Sequence, residues 1–344
     1  MSINDVAKLA GVSSSTVSRV INNHPRVAPE TAKSVRKAMQ ELGYTPSERR
    51  PGPKPSFRSR AGTATIAFLV LGTNKSRATP AFEDLLRGVS TAASKNDLNL
   101  IFNHLADPDH IPARVFDQRI DGLLLHGLMP GGELRERLRR VPTVWLMGNR
   151  RRPDWGDQVL PDWYEIGEFA ARHLISRGHK KLAFMNLDAA HWALRAYGHA
   201  FAISAADAGA DVAKLERSRQ QNLQGYWREH SMEAVHELVD QYLKLRDRPT
   251  GVFVADDMQV AMMQPALQKA GVQIGEGQVE LISCNNEEPY LVGLYPRPAV
   301  IDIRVESIGR RGVEQLLWRL EHSDITERLL TTIEPVVVLP SANP

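Results

Sequence analysis

The sequence predicts an α/β protein: two doubly wound parallel-sheet lobes preceded by a small all-α helix-turn-helix headpiece. Three observations carry that expectation. From Thr63 onward, short apolar runs alternate with helical stretches, and the alternation restarts near Lys181. Residues 3–22 hold two short helical periodicities separated by Gly11-Val12-Ser13. The length of 344 residues exceeds one ordinary core and suits two or three domains.

In the first segment Val6, Leu9 and Ala10 share a face at helical spacing, and Val17, Val20 and Ile21 begin a second. Ser2 and Asp5 have capping-box spacing for the first helix, and Ser13 is placed to cap the second. The second helix then presents Ser14, Ser15, Thr16, Ser18 and Arg19, groups that hydrogen-bond base edges or phosphates in a major groove. Asn23 to Ala28 reads as a loop. Pro29 opens a third helix, with Ala32, Val35, Met39 and Leu42 on one face and Gly43 at its end.

The run Asp5-Val6-Ala7, Ala10-Gly11-Val12-Ser13, Thr16-Val17-Ser18-Arg19-Val20-Ile21-Asn22 resembles the opening of the LacI/GalR family of sugar-responsive transcription regulators. That resemblance implies a double-stranded, palindromic DNA operator and a homodimer that reads it. Arg19 is the foremost base-reading candidate, because a guanidinium makes bidentate contact with guanine. Ser14 and Ser15 occupy the family's half-site specificity positions, where short side chains imply limited direct discrimination or readout through water. Ser2, Ser13, Asn22, Arg26, Thr31 and Tyr44 complete the expected headpiece contacts.

Charge supports the same segment. Residues 1–60 hold 11 of the 43 Lys and Arg but 4 of the 40 Asp and Glu, so the basic surplus is N-terminal. Such a patch favours phosphates through counterion release. Residues 47–61 form a basic, proline-rich linker in which Pro51, Pro53 and Pro55 disfavour the hinge helix usual in the family. Arg49, Arg50, Lys54 and Arg58 around Pro-Gly-Pro suit either a hook in a narrow minor groove or a basic tether, with Phe57 as a substitute wedge.

Beyond the linker, apolar runs at 65–72, 98–105, 121–127 and 143–148 read as buried strands, with helices near 80–95, 110–118 and 132–140. The runs at 181–186, 251–256 and 279–285 give a second lobe. The resemblance continues through Thr79 to Gly88, Val159 to Asp162, His173-Leu174, Gly178-His179 and Pro249 to Asp257. It implies a periplasmic-binding-protein-like core with chain crossings near 160, 290 and 322. The expected parts are a headpiece at 1–46, a linker at 47–61, an N-terminal lobe at 62–160 and 291–321, and a C-terminal lobe at 161–290 and 322–340.

Ligands of open α/β sheets sit at the carboxyl ends of strands, which face one cleft between two such lobes. The polar candidates there are Asp162, Arg195, Asp256, Asp257 and Asn285. Arg195, with Gly198, matches the family's R-x-x-G-F motif, whose arginine holds effector hydroxyls or carboxylates. Trp227 matches the aromatic of the G-D-F segment that lies against sugars, and Phe82, Trp163 and Trp192 are further candidates to line the cleft. Asp256 departs from the family's usual Asn, and Asn285-Asn286 from its usual Asp pair.

No Walker loop, nucleophile elbow or metal-ligand spacing is present, so neither an enzyme nor a metal or other cofactor is expected. Cys284 is the only cysteine, which excludes an intrachain disulfide and suits a reducing compartment. With no signal peptide or membrane-length apolar run, a cytoplasmic location is expected. The reading is a repressor of carbohydrate genes whose operator affinity follows a sugar in the cleft, through the angle between the lobes. The alternative is an activator or dual regulator with a non-sugar effector.

Overall fold

The computed structural model describes residues 3–21, 27–44, 64–72, 80–105, 107, 120–147, 153–217 and 232–340. The linker at 47–61, the helix expected at 110–118, and Ser2, Asn22, Arg26, Arg49, Arg50, Lys54, Phe57 and Trp227 lie outside the described residues, as does the side chain of Ser18. The chain divides into two compact units, residues 1–56 and 57–344.

The first unit is a three-helix headpiece of α1 (Ile3–Ala10), α2 (Ser14–Ile21) and α3 (Pro29–Glu41). Gly11, at φ +65°, turns the chain out of α1, and the Val12 amide donates back to Ala7 O at 3.0 Å. The three helices close over Val6, Ala7, Val17, Val20, Val35 and Ala38. Leu9 was expected on the inner face of α1 but is 50% exposed. At 100° per residue Val6, Ala7 and Ala10 form one stripe, and Leu9 falls outside it. Gly43, at φ +58°, ends α3, with Tyr44 N–H on Met39 O at 2.8 Å and Gly43 N–H on Gln40 O at 3.2 Å. These two bonds form a Schellman cap.

The second unit contains two lobes. The N-terminal lobe has β1 (Thr65–Leu71), α4 (Pro80–Lys95), β2 (Asn99–Leu105), β3 (Gly122–Gly127), α5 (Gly132–Leu138), β4 (Thr143–Leu146) and β5 (Asp157–Pro161). The C-terminal lobe has α6 (Trp163–Ser176), β6 (Lys181–Asn186), α7 (Trp192–Asp207), β7 (Asp211–Glu216), α8 (Met232–Leu243), β8 (Gly251–Val254), α9 (Asp257–Lys269), β9 (Glu280–Cys284), α10 (Glu288–Leu291) and β10 (Ala299–Asp302). The chain then returns through α11 (Val305–Glu321) and β11 (Leu330–Ile333), and ends on β12 (Val336–Val338).

The first sheet runs β2-β1-β3-β4-β5-β11, entirely parallel, and the second β7-β6-β8-β9-β10-β12, with only β12 antiparallel. Each lobe therefore repeats a doubly wound order whose switch point lies between its first and third strands. The central strands are buried on both faces, as in β1 and β8. Helix pairs cover corresponding faces at glycine crossings. A Cβ on Gly88 of α4 would lie 2.1 Å from Glu306 O of α11, and one on Gly167 of α6 would lie 2.2 Å from Tyr197 O of α7. Only glycine permits either approach.

The pairings correct two expected crossings. Ala299 pairs with Ile282, so β10 belongs to the C-terminal lobe, whereas β11 pairs with β5 in the N-terminal lobe. The second and third passages therefore lie between Asp302 and Val305 and between Ile333 and Val336, instead of near 290 and 322. Both strands have four residues, too few to show a period before their partners are known.

Asp157, at the start of β5, is 1% exposed. It receives Arg319 Nη2 at 2.6 Å, Arg319 Nε at 3.0 Å, Gln315 Nε2 at 2.8 Å and Leu329 N–H at 2.9 Å. Arg319 also donates to the carbonyls of Ile325 and Glu327. Removing one partner of such a pair strands the other charge. Arg319→Ala is expected to cost about 3–5 kcal/mol, read as a lowered urea midpoint for the N-terminal lobe, with part recovered in the Asp157→Asn/Arg319→Met double variant.

Candidate functional site

In the headpiece, Val17 and Val20 anchor α2, which leaves Ser14, Ser15 and Arg19 exposed. Ser13 is the N-terminal cap: its Oγ accepts the Thr16 amide at 3.2 Å and lies 2.8 Å from Ser15 Oγ and 2.9 Å from Thr16 Oγ1. Thr16 is half-buried in that cluster, Thr31 is half-buried in the first turn of α3, and Tyr44 packs on the headpiece core. Arg19 is thus the exposed cation of α2, in the last turn of the helix.

The carboxyl ends of the two sheets face each other, because Glu287, just beyond β9, accepts the amide of Ala81 at the start of α4 at 3.0 Å. Asp162, beyond β5, caps α6 through the amides of Tyr164 at 3.0 Å and Glu165 at 3.2 Å. Asp256, beyond β8, caps α9 through Gln259 N–H at 2.8 Å and accepts Gln259 Nε2 at 2.7 Å. Gln259 in turn accepts the Leu187 amide at 2.7 Å, which fastens the end of β6 to the start of α9.

Asp257 is fully buried and does not line the cleft, contrary to its expected role in effector binding. Its carboxyl group takes Ser283 Oγ at 2.5 Å and Glu287 N–H at 2.6 Å, and burial pushes its pKa well above the usual carboxylate range. Its work is internal, holding β9 and the following turn against α9. Asn285 and Asn286, at φ 113° and 66°, form that turn. Asparagine tolerates the left-handed region better than most side chains. Asn285 Nδ2 donates to Glu287 Oε2 at 3.1 Å.

The aromatic candidates divide between the lobes. Phe82 stacks on Phe68 at 6.2 Å and meets Phe102 at 5.9 Å in the N-terminal lobe. Trp163 and Trp192 begin the helices that follow β5 and β6 and meet edge to face at 5.8 Å. Trp163 also lies 6.2 Å from Tyr197, whose hydroxyl donates to Ala255 O at 2.5 Å. Both indole nitrogens are buried without a hydrogen-bond partner among the described residues. Two such donors at the carboxyl edge match a ligand that offers oxygen or ring-nitrogen acceptors. Arg195 is exposed one turn along α7 from Trp192.

His126, at the end of β3, was not singled out by sequence. Its Nδ1 lies 3.1 Å from Leu146 O, and burial holds its pKa below the usual histidine value. It is therefore neutral near pH 7, with Nδ1–H donating to the carbonyl. Glu287 was likewise missed; its only signal is its place directly after the Asn pair.

Comparison with known proteins fixes the wider assignment. Residues 2–47 match the model for bacterial regulatory proteins of the lacI family, and residues 171–339 match the periplasmic binding protein-like domain. The chain thus joins a lacI-family headpiece to a periplasmic-binding-protein-like domain. It is 29% identical over 345 residues to the HTH-type transcriptional repressor PurR of Vibrio atlanticus (strain LGP32), covering 95% of this chain and 94% of that one. Its fold is similar to a transcriptional regulator CelR–cellobiose complex, at 22% identity and TM-score 0.64 over all of both chains. It is also similar to the Lac repressor dimer bound to operator and the anti-inducer ONPF, at 18% identity and TM-score 0.60 over 98% of each. Like those relatives, the chain is a DNA-binding transcriptional regulator and not an enzyme. No described helix is long and apolar enough to cross a membrane, and no described acidic, His or Cys cluster could hold a metal.

The internal role of Asp257 predicts a ligand-independent effect. Asp257→Ala leaves the Ser283 hydroxyl and Glu287 amide without their acceptor, at about 1–3 kcal/mol. Thermal unfolding without ligand should show that loss, whereas a residue serving only as an effector contact would leave the melting temperature unchanged.

Proposed function

We propose that the protein is a cytoplasmic, homodimeric repressor that binds a palindromic operator through α2 and is switched by a small sugar between the lobes. The observation that carries the effector reading is the Trp163–Trp192 pair, whose two buried indole donors have no acceptor among the described residues. An indole face packs against the C–H face of a pyranose while its N–H takes a ring or hydroxyl oxygen. Arg195, close by on α7, supplies a forked donor set for further hydroxyls. The expected roles of Trp227 and of the linker cations belong to the same proposal.

The switch requires unequal effector binding by two lobe arrangements. Dimerisation doubles the headpieces and turns the second half-site contact into an intramolecular one. The Lac repressor neighbour is a dimer on its operator, and the CelR neighbour holds cellobiose. A flat uncharged heterocycle is the second reading, favoured by the aromatic walls and by the PurR relatives.

Selection from random duplex DNA should return a palindrome. At a guanine read by Arg19, Arg19→Ala is expected to cost about 1–3 kcal/mol and relax preference there, measured by anisotropy at fixed salt. Thermal unfolding against neutral sugars, sugar phosphates and purine bases tests the effector. A ligand at about a hundred times its Kd should add roughly 2.7 kcal/mol and raise the melting temperature by several degrees. Trp192→Ala and Arg195→Ala should each abolish that shift. Unchanged operator affinity on adding a ligand that does bind would remove the switch.

A further inference from the structure

Glu287 belongs to the C-terminal lobe by sequence and by its neighbours, yet one of its carboxyl oxygens is bonded to the other lobe. Oε1 accepts the Ala81 amide at 3.0 Å, within the first turn of α4, and Oε2 accepts Asn285 Nδ2 at 3.1 Å. The residue is 6% exposed, so this contact is sealed from water. Its backbone is held as firmly, through the Glu287 amide on Asp257 and the consecutive positive-φ residues Asn285 and Asn286. The side chain is thus aimed by three separate constraints at a helix N-terminus across the cleft.

We propose that Glu287 is an inter-lobe latch that holds the cleft closed by seating its carboxyl group on the N-terminus of α4, and that the cleft consequently accepts an uncharged effector and rejects an anionic one. The second part rests on the reading of the cleft as the effector site. A helix N-terminus is where an anionic ligand group would gain most, because its free amides and dipole both favour negative charge. Here the protein has filled it with its own carboxyl group.

The surroundings reinforce the exclusion. Asp84 of α4 and Asp256 and Asp257 at the start of α9 face Glu287, and Asn285 is its neutral partner on the turn. The nearby cation Arg87 is drawn to Asp84 at 2.8 Å. An incoming phosphate would meet the carboxyl groups of Asp84, Asp256 and Glu287, with that of Asp257 buried behind them.

The same surroundings set the sign of the pH response. Burial, opposed by the Ala81 and Asn285 bonds, pushes the Glu287 pKa up to about 6 from 4.5. A group whose pKa is raised on closure favours the closed form when protonated. Closure is therefore strongest below the open-state value and weakens as pH rises through the window from 4.5 to about 6, by at most about thirtyfold in the closed-to-open ratio. A protonated carboxyl group keeps the Ala81 bond through its carbonyl oxygen. Glutamine does the same at every pH.

The test uses the full chain with spin labels at Lys95→Cys and Lys269→Cys, both exposed and on opposite lobes, diluted with unlabelled protein. Inter-lobe distances are measured without ligand from pH 4.5 to 8. The wild type should shift toward the short distance as pH falls, Glu287→Gln should stay short throughout, and Glu287→Ala should lengthen. Identical, pH-independent distributions in all three would overturn the latch, whatever binds in the cleft. Thermal unfolding of the same proteins with inorganic phosphate, neutral hexoses and hexose phosphates tests the second part. Stabilisation of the wild type by hexoses but not by either phosphate supports it, and a phosphate response gained in Glu287→Ala supports the blocked amide. Stabilisation of the wild type by a hexose phosphate overturns the exclusion. A panel that shifts nothing overturns the effector reading and the exclusion with it, and the distances still decide the latch.

Discussion

A single buried carboxylate ties together the three N-terminal-lobe segments that run to the passages between the lobes, at the ends of those segments away from the passages. Asp157 lies in β5, which leads into the first passage. Arg319 and Gln315 lie on α11, which follows the second, and Leu329 leads into β11 before the third. Three connections from one lobe to another define a common bending axis only if their roots move together. A carboxylate on β5 that accepts four bonds, three from α11 and one from the residue before β11, makes these segments move as one body, and the bidentate guanidinium fixes direction as well as distance.

With the roots fixed, the cleft inherits its geometry from the sheets. Parallel strands send every following loop to the same edge, so the residues after β5, β6, β8 and β9 gather without any local sequence relation between them. Most polar groups gathered there are committed to the fold. Asp162 and Asp256 cap helices, Gln259 ties two loops, and Asp257 holds the turn that aims Glu287. Among the described residues, the proposed effector reading rests on the indole pair and Arg195. That commitment of carboxyl groups to internal bonds is what the proposal of a neutral, acceptor-rich effector builds on.

The headpiece follows a separate logic. Its core is small, and much of its definition comes from turn chemistry: Ser13 at the start of α2, Pro29 at the start of α3, and left-handed glycines at 11 and 43. Each acts over a few residues, so this unit takes its form from local rules. The same local packing, by burying Val17 and Val20, leaves Ser14, Ser15 and Arg19 exposed on α2.

The sequence by itself determined the headpiece elements, the two-lobed α/β class, most of the central strands, and the glycine at 88 that the family resemblance included. Those features were legible because caps, glycine turns and apolar runs of five or more residues carry their signal within one window. It did not reveal β5, β7, β10, β11 or β12, short or edge strands whose identity comes from a neighbour. Leu9, too, was assigned inward from a spacing that the stripe's other members overruled. Only the tertiary structure decided the fate of the acidic residues. Asp256, Asp257 and Glu287 look equivalent as letters, but one caps a helix, one is buried beneath a turn, and one reaches the opposite lobe. The reason is physical: a carboxylate's role is set by which donors surround it and how much water is removed, and these come from segments anywhere in the chain, 3 residues away for Asp256, 26 and 30 for Asp257, and 206 for the Ala81–Glu287 bond.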